Sequence, residues 1–116
     1  MRPVTQLPNF MTRKQPSNVL SLEGEIDLHV SPEVAESLHA MIANKPKQLV
    51  VDLGKVTFFD SSGLAILIQA MQTVQAYGGR FVLANVQPSV QHIFEIARLD
   101  QVFQILPDVD SALAAK

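Results

Sequence analysis

Cysteine is absent from the 116 residues, and so is tryptophan. The first absence rules out disulfides, thiolate nucleophiles and cysteine-ligated zinc. The second, with only one tyrosine, leaves little aromatic surface on which bases could stack. Charge is sparse as well. Charged residues make up 17% and the formal net charge is −2, with no basic stripe to follow a phosphate backbone. Nucleic acid is therefore not an expected partner. No run of about 18 apolar residues exists to span a bilayer. The opening stretch MRPVTQLPNFMTRKQPSN carries positive charge but no apolar segment of signal-peptide length. A cytoplasmic protein without membrane insertion is expected.

Glycine is scarce too, and of the five only Gly78 and Gly79 adjoin. Neither G-x-x-x-x-G-K-[ST] nor G-x-G-x-x-G occurs, so no loop is built to cradle a nucleotide phosphate. The three histidines are His29 in a loop and His39 and His92 on separate helices. None shows the H-E-x-x-H spacing of a helical zinc site. No metal and no cofactor are expected.

What the chain does have is apolar material, 47% of its residues, enough for the core of one domain of this length. Pro3, Pro8 and Pro16 punctuate residues 1–18, where a short edge strand fits over 4–10. NVLSLEGEID alternates Val19, Ser21 and Glu23 against Leu20, Leu22 and Gly24, a strand with one polar face. Ser31 as cap, Pro32 in the first turn and Glu33 open a helix whose Val34, Leu38, Met41 and Ile42 make one stripe, closed by Pro46.

KQLVVDLG reads as a central strand covered on both faces, and KVTFFD follows it. From Ser61, the apolar residues Leu64, Leu67, Ile68, Met71 and Val74 recur on one helical face, and Gly78-Gly79 stops the helix. RFVLANV is a strand, Pro88 opens a helix lined by Val90, Ile93, Phe94 and Ala97, and QVFQIL is a last short strand. PDVDSALAAK ends the chain as a helix with Asp108 or Asp110 near its start. Strands alternating with helices define an α/β domain with a mainly parallel or mixed sheet over 19–113, followed by a tail at 114–116.

The unusual stretch is FFDSSGL, residues 58–64, where an apolar strand gives way to an apolar helix. A hydrolase elbow reads G-x-S-x-G, but Phe59 and Asp60 stand where its first glycine belongs. No histidine is nominated as a base, so a catalytic serine is not supported. Asp or Ser before the helix caps its free N–H groups, a contribution of about 1 kcal/mol. One cap suffices, however, and Gly63 costs the helix roughly 0.5–1 kcal/mol against alanine. Close approach of another molecule, unobstructed by a β-carbon, is the expected reason for that glycine. A hydroxyl at a helix start is also well placed to carry phosphate.

In this context VVDLGKVTFFDSSGLAILIQAMQTVQAYGGRFVLANVQPSVQHIFEIARLDQVFQIL resembles the STAS domain, and more narrowly the bacterial anti-sigma factor antagonists. Asp60, Ser61, Ser62, Gly63 and Leu64 match the family's motif, and Gly24–Asp27 resembles its upstream turn. The resemblance implies a single STAS-like domain with a mixed central sheet of four to five strands and about four helices. It implies a protein that is not an enzyme. A partner anti-sigma factor, itself a serine kinase, phosphorylates the second serine, here Ser62, and a serine phosphatase reverses this. The unmodified form binds the anti-sigma factor and frees the sigma factor. Other members are constitutive scaffolds, transporter-accessory domains or parts of stress-signalling assemblies, and in those the serine would be only a cap.

The expected partner surface comprises Asp27, His29, Asp60, Ser61, Ser62, Gly63, Ile66 and Ala70. Asp27 and His29 follow a strand end and are expected beside Ser62, where Asp27 orients the hydroxyl or meets the partner. If Leu64, Leu67, Ile68 and Met71 face the sheet, Ile66, Ala70 and Thr73 point away from it. They form either a docking ridge or the contact with a second layer. A phosphate on Ser62 adds roughly −1.5 to −2 charge beside Asp60. The helix dipole offsets part of the repulsion, so the fold is expected to survive while a packed partner is not. Length and charge suit a monomer or weak dimer.

Overall fold

The computed structural model describes residues 18–114. Four strands alternate with four helices: β1 (Val19–Ile26), α1 (Ser31–Ile42), β2 (Gln48–Phe59), α2 (Ser61–Ala76), β3 (Arg80–Ala84), α3 (Pro88–Ile96), β4 (Gln104–Leu106) and α4 (Val109–Ala114). The strands lie side by side in chain order, and all three pairings are parallel. The expected mixed sheet is therefore parallel throughout among the described residues. The edge strand expected at 4–10 lies outside them.

Strand alternation divides the apolar residues between two clusters. Leu20 and Leu22 of β1, Leu49, Val51 and Leu53 of β2, and Phe81 and Leu83 of β3 join the buried stripes of α1, α2 and α3. Val19, Val50, Val82 and Ala84 form a smaller cluster with Ala112 of α4. The unbroken run Leu49–Val50–Val51 is thus buried on both faces, the pattern of a central parallel strand.

β2 differs from the sequence reading in length. QLVVDLG and KVTFF form one strand of 12 residues, with Lys47 just before it. β1 follows it through two register shifts, between Ser21 and Glu23 and between Gly24 and Glu25, each with an extra residue on β2. A single extra residue would turn every later side chain to the wrong face. Two restore the parity, so Ile26 and Phe59 sit opposite each other and both are buried. Gly24, at φ +85, takes the left-handed turn between the two shifts.

Helix ends also carry one surprise. Ser31 does not cap α1. The cap position is Val30 without a side-chain bond, and Ser31 is buried in the first turn. Asp27 orders the turn that leads into α1: its Oδ1 accepts from His29 N (3.0 Å) and Val30 N (3.3 Å), and its carbonyl accepts from Ser31 N (2.9 Å). α2 ends as expected, with Gly78 at φ +89. Gly79 N donates to Val74 O and Gly78 N to Gln75 O, the paired bonds of a Schellman motif. Asp108 starts α4, its Oδ1 accepting from Ser111 N at 2.7 Å.

Four phenylalanines chain through the larger cluster, with ring centroids 5.9 Å apart for Phe59–Phe94, 5.6 Å for Phe94–Phe103 and 6.1 Å for Phe81–Phe103. Phe94 is one of the two inner links and is fully buried. Phe94→Ala is expected to cost about 3–5 kcal/mol through lost burial and an unfilled cavity. Urea unfolding should show this as a lower midpoint at unchanged slope.

Candidate functional site

The site is built where β1 and β2 both end. These parallel strands finish side by side at Ile26 and Phe59. The loops into α1 and α2 therefore emerge together, the arrangement by which parallel α/β sheets gather loop residues at their carboxyl edge. Asp60 N donates to Ile26 O at 3.2 Å and ties the second loop to the first strand.

Asp60 is the cap of α2, in extended conformation. One carboxylate oxygen, Oδ1, accepts from Ser62 N (2.9 Å), Gly63 N (3.1 Å) and the Ser62 hydroxyl (2.6 Å). The other, Oδ2, accepts from Leu28 N at 3.0 Å. One side chain thus holds the start of α2, the serine and the β1–α1 loop. These donors, led by the Ser62 hydroxyl and the Gly63 amide, hold the Asp60 carboxyl below the ordinary aspartate range. The ionised carboxylate has no proton to give, so Ser62 must be the donor in the 2.6 Å bond.

Ser62 is half-buried and Ser61 is exposed. The structure orders one hydroxyl of the pair and leaves the other to solvent. Asp27 and His29 lie in the loop that Asp60 binds. Asp27 spends its side chain on the His29 and Val30 amides, and His29 is exposed. The aspartate that orients the Ser62 hydroxyl is Asp60, not Asp27.

Two expectations are corrected. Gly63 is buried, and its missing β-carbon makes room for the chain itself. A Cβ there would stand 2.6 Å from Ile26 O and 2.9 Å from both Ile26 Cγ2 and Phe59 Cδ1. The close approach that demands glycine is that of the end of β1, not of another molecule. Ala70 is also interior, at 5% exposure, and Ile66 is half-buried against the main core, so they form no free ridge. The reason is a second layer: α1 packs against α2 as well as against the sheet.

Sequence reasoning passed over Leu28 and Phe58. Leu28 is 70% exposed although its amide is fixed by Asp60. Phe58 is 42% exposed because alternation turns Phe59 inward and Phe58 out. A leucine between Asp27 and His29, in an otherwise polar turn, was the available signal for the first. The Phe-Phe pair at a strand end was the signal for the second.

The chain belongs to the STAS domain family, whose match spans residues 9–112. Its curated relatives include the anti-sigma-B factor antagonist of Listeria monocytogenes, 29% identical over 82 residues that cover 71% of this chain and 72% of that protein. Among solved structures, an anti-sigma factor antagonist from Mycobacterium paratuberculosis is 33% identical, covers 82% of this chain and 80% of its own, and superposes with a TM-score of 0.74. The Bacillus anti-sigma factor antagonist SpoIIAA, 20% identical, shares the fold in both its unphosphorylated and phosphorylated forms. Their TM-scores are 0.63 and 0.64, covering 85% of this chain and 88% and 90% of SpoIIAA. No described helix is long and apolar enough to cross a membrane.

Two measurements test the site's construction. Gly63→Ala is expected to destabilise the isolated protein by about 1–3 kcal/mol, the cost of overpacking a filled interior. A thermal melt without any partner should reveal it. The depressed Asp60 pKa means that its stabilising effect is present above the unfolded value, near 3.9, and is lost as pH falls through the folded value. Asp108 is depressed in the same way by Ser111. Asp60→Asn should therefore flatten, but not abolish, the fall in stability below about pH 4.

Proposed function

We propose that this protein is a phosphorylation-gated binding switch, an anti-sigma factor antagonist with Ser62 as its phospho-acceptor. Unmodified, it binds an anti-sigma factor that is also a serine kinase, and so releases a sigma factor. Phosphorylated, it lets go, and a serine phosphatase resets it. The protein works in the cytoplasm, as a monomer or weak dimer, and catalyses nothing itself.

One observation carries this reading. Of two adjacent serines at a helix start, Ser62 alone has its hydroxyl held by the capping carboxylate, at 2.6 Å. A kinase docking here meets an oxygen already fixed in place, at the positive end of α2. The relatives named anti-sigma factor antagonists support the partner class, and SpoIIAA itself has this fold in both its unphosphorylated and phosphorylated forms.

The partner surface in this reading is the rim of the two loops: Asp27, Leu28, His29, Asp60, Ser61 and Ser62. Ile66 contributes only what α1 leaves uncovered, and Ala70 and Gly63 support from within. The gate is electrostatic. A group of roughly −2 charge beside Asp60 sits where a partner must remove water, and like charges brought together in a desolvated contact oppose binding by several kcal/mol.

The test is a binding series against a candidate anti-sigma kinase. Ser62→Ala is expected to bind like the parent and resist modification. Ser62→Asp should weaken binding by about tenfold or more, since like-charge contacts at interfaces cost several kcal/mol. The protein should stay folded, with its melting temperature lowered by about 4–8 °C, the shift expected for roughly 1 kcal/mol lost with the Ser62–Asp60 hydrogen bond. Equal binding by both variants would favour a constitutive scaffold in which Ser62 is part of a helix cap only.

A further inference from the structure

We propose that Asp60 relays the state of Ser62 to the neighbouring loop, so that phosphorylation releases the Leu28 amide and changes how the Leu28 side chain is presented. The inference rests on Ser62 as the phosphorylated residue and adds a second output to that switch.

The argument starts from the sharing of one carboxylate. Oδ1 is committed to Ser62 and Gly63, and Oδ2 to Leu28, 32 residues earlier in the chain. The rotamer that satisfies the first set also places the second oxygen against the Leu28 amide. In phosphoserine the hydrogen on Oγ is replaced by phosphorus, and that hydrogen is the one donated to Asp60. The shortest bond in the set therefore cannot exist in the phosphorylated protein.

The phosphate also competes for what remains. Backbone amides at a helix start are a natural seat for a phosphate, and here they are Ser62 N and Gly63 N, the amides that Asp60 now occupies. Two anions cannot share them without strong repulsion, and the phosphate is the more highly charged. Asp60 gives way, and Oδ2 moves with Oδ1 because both belong to one rigid carboxylate. Leu28 N then loses its acceptor.

The effect is confined to one amide. His29 N and Val30 N are bound by Asp27 Oδ1, and Ser31 N by Asp27 O, none of which involves Asp60. The first turn of α1 stays held, and Leu28 O still accepts from Ser31 Oγ (3.4 Å), while the Leu28 amide at the exposed rim loses its partner. Leu28 is an apolar side chain at the mouth of the site, so its release alters the surface that a partner meets even where the phosphate itself makes no contact.

The experiment is amide hydrogen exchange by NMR on the full chain, with phosphoserine installed at position 62 during synthesis so that no kinase is needed. Leu28 should exchange about tenfold faster or more, as loss of a hydrogen bond to a charged acceptor implies, while His29 and Val30 keep their rates. Asp60→Asn should release Leu28 in the same way, because the carboxamide can turn its oxygen to the helix amides but then offers Leu28 only a donor. Ser62→Ala, which removes the hydroxyl and adds no charge, should leave Leu28 protected. An unchanged Leu28 rate in the phosphoserine protein or in Asp60→Asn overturns the relay. So does equal acceleration of Leu28, His29 and Val30, which would be melting of the loop rather than transfer of one bond. A negative result leaves Ser62 as a kinase substrate untouched, and absence of phosphate in cells would leave a coupling found in the synthetic phosphoserine protein intact.

Discussion

The Asp60 carboxylate is the contact on which the rest of the site depends. It satisfies the free amides of α2, fixes the Ser62 hydroxyl and holds the loop leaving β1. Its position follows from the sheet. Parallel pairing brings the ends of β1 and β2 together, and the two extra residues of β2 bring Ile26 and Phe59 level at that edge. Gly63 completes the join, because only a residue without a β-carbon lets the first turn of α2 settle on Ile26 O. Strand register, glycine and cap are one construction.

That construction separates rigidity from accessibility. Beneath the site lie Phe59, Leu67 and the aromatic chain through Phe94, all buried. Above it, Leu28, His29 and Ser61 are exposed. A charge added at Ser62 falls on the boundary. In the proposed switch that charge would change the surface while Phe59, Leu67 and Phe94 stay packed beneath it.

Much of this was legible in the residues. The central strand announced itself as Leu49–Val50–Val51, and the Gly78 stop of α2 and the Asp60-Ser61-Ser62-Gly63 junction were visible as pattern. What escaped was what depends on pairing between distant segments. The purpose of Gly63 lies in Ile26, 37 residues earlier. The interior position of Ala70 depends on α1 packing over α2, which a single helix pattern cannot reveal. A local feature escaped as well: Asp27 orders the turn before α1 and Ser31 is buried in the helix, which only the path of that turn decides. Asp52 is a further case: within an apolar run its carboxylate accepts from Gly54 N on its own strand, Asn85 Nδ2 after β3 and Ser21 Oγ on β1.

The proposed switch stands or falls on a covalent state of one residue in the living cell. Peptide mapping by mass spectrometry of residues 56–80, from protein purified from its native cells across growth conditions, measures it directly. A phosphate on Ser62 that rises and falls with conditions is the expected result. Ser62 unmodified under every condition, in cells where the protein is abundant, would contradict it and leave the serine as one more ligand of the Asp60 cap.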